Sequence, residues 1–156
     1  PLALLAYGAD VNARDNCRRT PLHCAAQGER RSTVRLLLEN GAEVDARAKY
    51  GKFPPTDGML VHCVEVTSNE VTKMTPLHVA AWKGNGQVAE VLIQNQARVN
   101  TQNGNGETPL QVSLRHGDEE LRGLLEGYGG KRDTGGCGTL VVVVVFLLAI
   151  PVCLVY

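Results

Sequence analysis

The chain has no excess of either charge. Sixteen Lys and Arg offset sixteen Asp and Glu, so the formal net charge is zero. That removes bulk electrostatic attraction to nucleic acid, and no nucleic-acid partner is expected. Aromatic side chains are scarce: two Phe, four Tyr and a single Trp, Trp82. Cys17, Cys24, Cys63, Cys137 and Cys153 lack the paired spacing of a zinc site or a disulfide framework. Read as free thiols, they point to a reducing compartment. Of the histidines, His23-Cys24 and His62-Cys63 are adjacent pairs without the spacing by which metal ligands converge. Ser32, Ser68 and Ser113 have no nucleophile-elbow context. Gly104-Asn105-Gly106 is a turn, with no GK[ST] helix start after it. No catalytic residue, cofactor or metal is therefore expected. There is also no initiating Met: the chain opens at Pro1, partway through a repeating unit, so a longer natural protein is expected at that end.

What is present is a recurring signature: Thr20-Pro21-Leu22-His23, Thr75-Pro76-Leu77-His78 and Thr108-Pro109-Leu110-Gln111. The second and third copies lie 33 residues apart, the first and second 55, one period plus 22. A fixed period of this size marks stacked units, none able to bury its own apolar face alone. Thr20 suits an N-cap and Pro21 the first helical position, where its missing N–H costs nothing. Leu22, Ala25 and Ala26 share one face of a first helix, and the polar break Gly28-Glu29-Arg30-Arg31 ends it. Val34, Leu37 and Leu38 give a second helix its apolar stripe, which Asn40-Gly41 terminates. The same pattern runs through 75–107, with Val88, Val91, Leu92 and Ile93 in the second helix.

Further columns recur. Ala25-Ala26 matches Ala80-Ala81, and Gly8-Ala9-Asp10-Val11-Asn12 aligns with Gly41-Ala42-Glu43-Val44-Asp45 and Gln96-Ala97-Arg98-Val99-Asn100. Together these columns resemble the ankyrin repeat over residues 1–52 and 75–130. The resemblance implies an all-α fold: a helix-turn-helix solenoid with β-hairpin fingers, to which a C-terminal apolar helix is added. The expected divisions are a partial repeat at 1–19, full repeats at 20–52 and 75–107, and a shortened repeat at 108–128. The resemblance also gives His23 and His78 a structural role, hydrogen-bonding the capping Thr and nearby backbone. Departures carry expectations of their own. Gln96 stands where a helix-ending Gly is usual, so a less well-formed turn is expected there, and Arg18 replaces a finger Gly. Gly123 and Gly127 each cost about 1 kcal/mol against Ala, which predicts a frayed last repeat. Its Asp118, Glu119, Glu120, Arg122 and Glu126 suit a solvent-facing cap.

Two segments break the pattern. Residues 53–74 interrupt the period at the finger tip, either as an elongated finger reaching toward a partner or as a passive loop or unspliced stretch. After a Gly-rich linker at 129–139, residues 140–156 form an uncharged apolar run. As a helix the run would span about 25 Å, the short end for a bilayer core. Lys131-Arg132 precede it, consistent with a cytoplasmic N-terminal flank. Membrane attachment through 140–156 is the expectation, against out-of-frame translation or the start of a longer membrane domain.

By resemblance, fingers and first helices form the recognition face. That places Arg14, Arg18 and Arg19 on the first finger, Arg47, Lys49, Tyr50 and Lys52 on the second, and Asn103 and Asn105 on the third. Trp82, Lys83 and Arg115 come from the first helices. The first two fingers are basic, which favours a protein partner with an acidic segment, and Trp82 is the anchor candidate. The expected function is protein–protein recognition as a scaffold or adaptor, cytoplasmic or on the cytosolic face of a membrane. The alternatives are the cytosolic region of a truncated channel or receptor, or the targeting segment of an enzyme.

Overall fold

Each Thr-Pro pair opens a helix, as the capping chemistry requires. The computed structural model describes residues 8–50 and 72–131. Among them lie six helices: α1 (Pro21–Gln27), α2 (Arg31–Glu39), α3 (Pro76–Lys83), α4 (Gly86–Gln94), α5 (Pro109–His116) and α6 (Glu119–Gly127). Two short strands, β1 (Ala48–Tyr50) and β2 (Thr72–Met74), pair antiparallel between α2 and α3. Thr20, Thr75 and Thr108 are the extended N-cap residues of the three first helices, with proline at N1 each time.

The helices form two rows. First helices pack α1 on α3 and α3 on α5; second helices pack α2 on α4 and α4 on α6; each first helix also packs on its own second helix. Leu22, Leu77 and Leu110 are buried along the first row, and Val34, Leu37, Val88, Leu92, Leu121 and Leu125 along the second. All of them belong to one continuous apolar cluster that runs between the rows. Ala25-Ala26 and Ala80-Ala81 are buried in it, small enough to let neighbouring helices approach. Burying each leucine is worth roughly 1.5–3 kcal/mol, so the seam, not helix propensity, holds these seven- to nine-residue helices.

Helix ends repeat as faithfully as helix starts. Gly41 N–H donates to Leu38 O at 3.0 Å and Ala42 N–H to Leu37 O at 2.9 Å, with Gly41 left-handed at φ 84°. Gln96 and Ala97 make the same two bonds to Ile93 and Leu92, and Gly129 and Gly130 to Glu126 and Leu125. Gln96 adopts φ 67°, so the expected loss of turn geometry does not occur: the double hydrogen bond holds a residue with a Cβ in the conformation glycine prefers. In the last repeat both helices are present. Asp118 Oδ1 caps α6 by accepting from Leu121 N–H at 3.0 Å, and Leu121 and Leu125 anchor it in the core.

The finger differs from expectation in one respect. Thr72–Met74, read from the sequence as the end of the 53–74 insertion, is the second strand of the finger, with Ala48 opposite Met74, Lys49 opposite Lys73 and Tyr50 opposite Thr72. Thr72 and Met74 are buried. The remaining residues, 51–71, lie outside the described residues, as do 1–7 and 132–156 with the apolar run 140–156. Among the described residues no helix is long and apolar enough to cross a membrane. Cys17 is disulfide-bonded, which corrects the reading of every cysteine as a free thiol; among the described residues Cys24 is free.

Candidate protein-binding surface

The finger tips are built by side chains that fold back on their own turns. In the first, Asp15 Oδ1 accepts the amides of Cys17 at 2.9 Å and Arg19 at 2.8 Å, while Oδ2 accepts Arg19 Nε at 2.7 Å. Burial pushes the Asp15 carboxyl up, but the Arg19 hydrogen bonds and charge outweigh it and hold it below the usual carboxylate range. Arg18 sits left-handed at φ 58° at the turn, its amide on Asp15 O. In the third finger Asn103 Oδ1 does the work of Asp15, accepting Asn105 and Glu107 amides at 2.8 and 3.0 Å, and Gly106 takes the left-handed position. The second finger is the β1–β2 ribbon, spliced to the first by Lys49 N–H donating to Cys17 O at 2.7 Å.

Behind the fingers, two histidines tie repeat to repeat. His23 Nδ1 accepts the Thr20 amide at 3.2 Å, so its proton sits on Nε2, which donates to Met74 O at 3.1 Å. His78 repeats this with the Thr75 amide at 3.3 Å and Glu107 O at 3.0 Å. Burial lowers both pKa values to about 4, so both rings are neutral near pH 7. They are structural, as the resemblance implied. Gln111 replaces the histidine in the third unit by accepting the Thr108 amide at 2.8 Å, and the Thr108 hydroxyl donates onward to Lys131 O at 3.1 Å.

The residues expected to meet a partner divide into distinct groups. Arg18, Arg47, Lys49, Lys83 and Asn105 are exposed. Arg14 is exposed but ion-paired with Glu43 at 2.9 Å, Arg19 pairs with Asp15, and Arg115 pairs with Glu107. Lys52 lies outside the described residues. Two expectations are corrected. Tyr50 is 3 % exposed, because strand alternation turns it inward beside Ala48, with its ring centroid 6.5 Å from that of His23; burial raises its pKa. Asn103 is 8 % exposed and spent on its own turn. Trp82 is half-buried, packed against the core, with Lys83 Nζ 4.3 Å from its ring centroid. Only part of its surface is therefore open to a partner.

Sequence reasoning misses Lys73. It lies in the stretch assigned to the insertion, although the alternation Thr72-Lys73-Met74 directly before a Thr-Pro helix start is a strand signal. At the opposite end of the row from α5, a groove of about 470 Å³ is lined by Val11, Pro21, Cys24, Ala25 and Leu37. Among the described residues no group of three His, Cys, Asp or Glu side chains is placed to hold a metal.

Comparison with known proteins gives the same repeat. A family profile described as ankyrin repeats (3 copies) matches residues 2–48, and one described as ankyrin repeats (many copies) matches 59–113. The chain is 35 % identical over 119 residues to neurogenic locus notch homolog protein 1 of Mus musculus, covering 69 % of this chain and 5 % of that protein. The Homo sapiens protein of that name is 34 % identical over the same length and shares. Inversin of Mus musculus is 33 % identical over 129 residues, 74 % of this chain and 12 % of inversin. The chain thus spans a small part of the relatives it matches. The period, the capped Thr-Pro helices, the two packed rows and both profiles lead to one conclusion: the chain belongs to the ankyrin repeat family.

Proposed function

We propose that this chain is a non-catalytic protein-recognition module that meets its partner along the finger tips and the exposed edge of the first-helix row. The single observation that supports the reading is the division of labour in the repeats: His23, His78, Tyr50 and Asn103 are spent on structure, whereas Arg18, Arg47, Lys49, Lys83 and Asn105 are exposed. A scaffold or adaptor role follows from a binding surface without chemistry of its own. Attachment to the cytosolic face of a membrane through 140–156 is part of the proposal; it rests on the uncharged run and the preceding Lys131-Arg132.

The test is affinity capture by the full chain, comparing wild type with Trp82→Ala, Lys83→Glu and Arg35→Glu, the last on α2 of the second row. Proteins lost by the first two variants and kept by the third support the face; proteins indifferent to all three reject it. Carbonate extraction of cell membranes tests the anchor, which a wholly extracted full-length protein would refute. A second reading, a cytosolic repeat region within a longer membrane protein or enzyme, draws on the matched relatives being many times longer than the segment they share. Membrane spans or catalytic motifs in a full transcript would favour it.

A further inference from the structure

We propose that the second finger binds an extended acidic peptide whose carboxylates, at alternate positions, meet Arg47, Lys49 and Lys73, with Arg18 of the first finger beside them. This rests on the fingers being the partner face and names the chemistry of what they take. Lys49 and Lys73 stand directly opposite one another on the exposed face of the ribbon. The Lys49 amide is committed to Cys17 O, away from β2. The pair is therefore of the non-hydrogen-bonded kind, in which facing Cβ atoms are only about 4.5–5.5 Å apart. Like charges in that relation disfavour the ribbon unless an anion lies between them.

No carboxylate among the described residues serves. Glu43 pairs with Arg14, Asp15 with Arg19, Asp45 with Arg98 and Glu107 with Arg115, which leaves Arg18, Arg47, Lys49 and Lys73 without an ion pair among the described residues. Arg47 and Lys49 are two residues apart and both exposed, with Ala48 buried between them. That spacing is about 6.6 Å along a strand, the same as between alternate residues of an extended peptide. Single-stranded nucleic acid also seeks cations, but it needs aromatic platforms to stack on, and the aromatic of this ribbon, Tyr50, is buried.

The experiment uses the full chain and two fluorescein-labelled peptides of one composition, four Glu and four Ser, alternating in one and with the Glu contiguous in the other. Anisotropy titration is expected to show the alternating peptide binding about fivefold tighter, and Lys49→Ser with Lys73→Ser weakening it about tenfold, whereas Arg35→Ser leaves it unchanged. Circular dichroism shows whether the double variant stays folded, which relief of a like-charge pair favours. Equal affinity for the two peptides, no binding, or tighter binding of oligo-dT or anionic phospholipid vesicles would overturn the proposal. If the peptides fail while captured proteins still depend on Trp82 and Lys83, the partner face stands and this site falls; if both fail, both readings fall.

Discussion

Asp45 Oδ1 accepts the Arg98 amide at 3.1 Å, at a column where the neighbouring repeats carry asparagine. Asn12 makes that bond too, to Glu43 N–H at 2.8 Å, and its Nδ2 also donates to Gly41 O at 3.1 Å. Asn100 does likewise with Lys131 N–H and Gly129 O, at 2.7 and 3.0 Å. A carboxylate can accept but cannot donate, so the second link of this ladder is half made. Asp45→Asn is expected to add a bond to the Gln96 carbonyl and raise stability by about 1 kcal/mol. The lost pairing with the largely exposed Arg98, 3.7 Å away, weighs little against that. Asn100→Asp should lose a similar amount. Urea midpoints at constant slope check both.

Gln96→Gly should also stabilise. It removes a left-handed backbone cost of about 1–2 kcal/mol and adds back about 0.5–1 kcal/mol of chain entropy, for a net gain of about 0.5–1 kcal/mol. Gly41→Gln should do the reverse. Unchanged thermal midpoints in both variants would show that the turn carries no strain.

Acid should loosen the stack through His23 and His78. Their folded pKa values of about 4 lie below the ordinary 6.5. Above 6.5 the rings are neutral folded or unfolded, and the full stability is present. As pH falls below 6.5 the unfolded chain takes up protons that the folded one refuses, so stability drops by about 1.4 kcal/mol per pH unit per ring until the folded rings titrate. The contribution is therefore lost between about 6.5 and 4. His78→Gln copies the solution that Gln111 provides in the third unit. It should halve that slope between pH 6.5 and 4 while costing about 1–3 kcal/mol at pH 7 for the lost bond to Glu107 O. Equal slopes in wild type and variant would remove His78 from the account.

Two deletions separate the sequence reading of the insertion from the observed finger. In a Cys17→Ser background, so that loss of Cys63 does not enter the comparison, removing 51–71 and joining Tyr50 to Thr72 through Asn-Gly keeps both strands and shortens the connection between them, whose closure cost grows slowly with length, so stability should hold or rise by about 1 kcal/mol. Removing 53–74 instead takes away the buried Met74 side chain, 1 % exposed, although Lys52 then stands before Thr75 and offers His23 a carbonyl in place of that of Met74. That variant should be less stable by about 2–4 kcal/mol. Matching melting curves would show that β2 is dispensable.

The helices are legible in the sequence because Thr-Pro caps, Leu columns and the Gly41 stop act within a few residues of where they are read. The seam between Leu22 and Leu77 follows from the period. What the sequence hides is set by long-range pairing. Tyr50 reads as a finger-tip aromatic, but Thr72, inside the stretch read as the insertion, pairs opposite it and fixes it in a strand whose alternation turns it inward. Asn103 reads as an exposed polar residue, although its spacing to Glu107 already matches that of Asp15 to Arg19. Gln96 reads as a defect because composition at one column shows the missing glycine and not the pair of backbone hydrogen bonds that sustains the strained turn.

The place of the middle unit in the two rows has a consequence for how damage spreads. α3 rests on both α1 and α5, and α4 on both α2 and α6. Among the described helices, a lesion in α1 or α5 loosens one neighbour in its row, whereas a lesion at Leu77 or Leu92 loosens two at once, so the same loss of packing reaches twice as far from the middle unit.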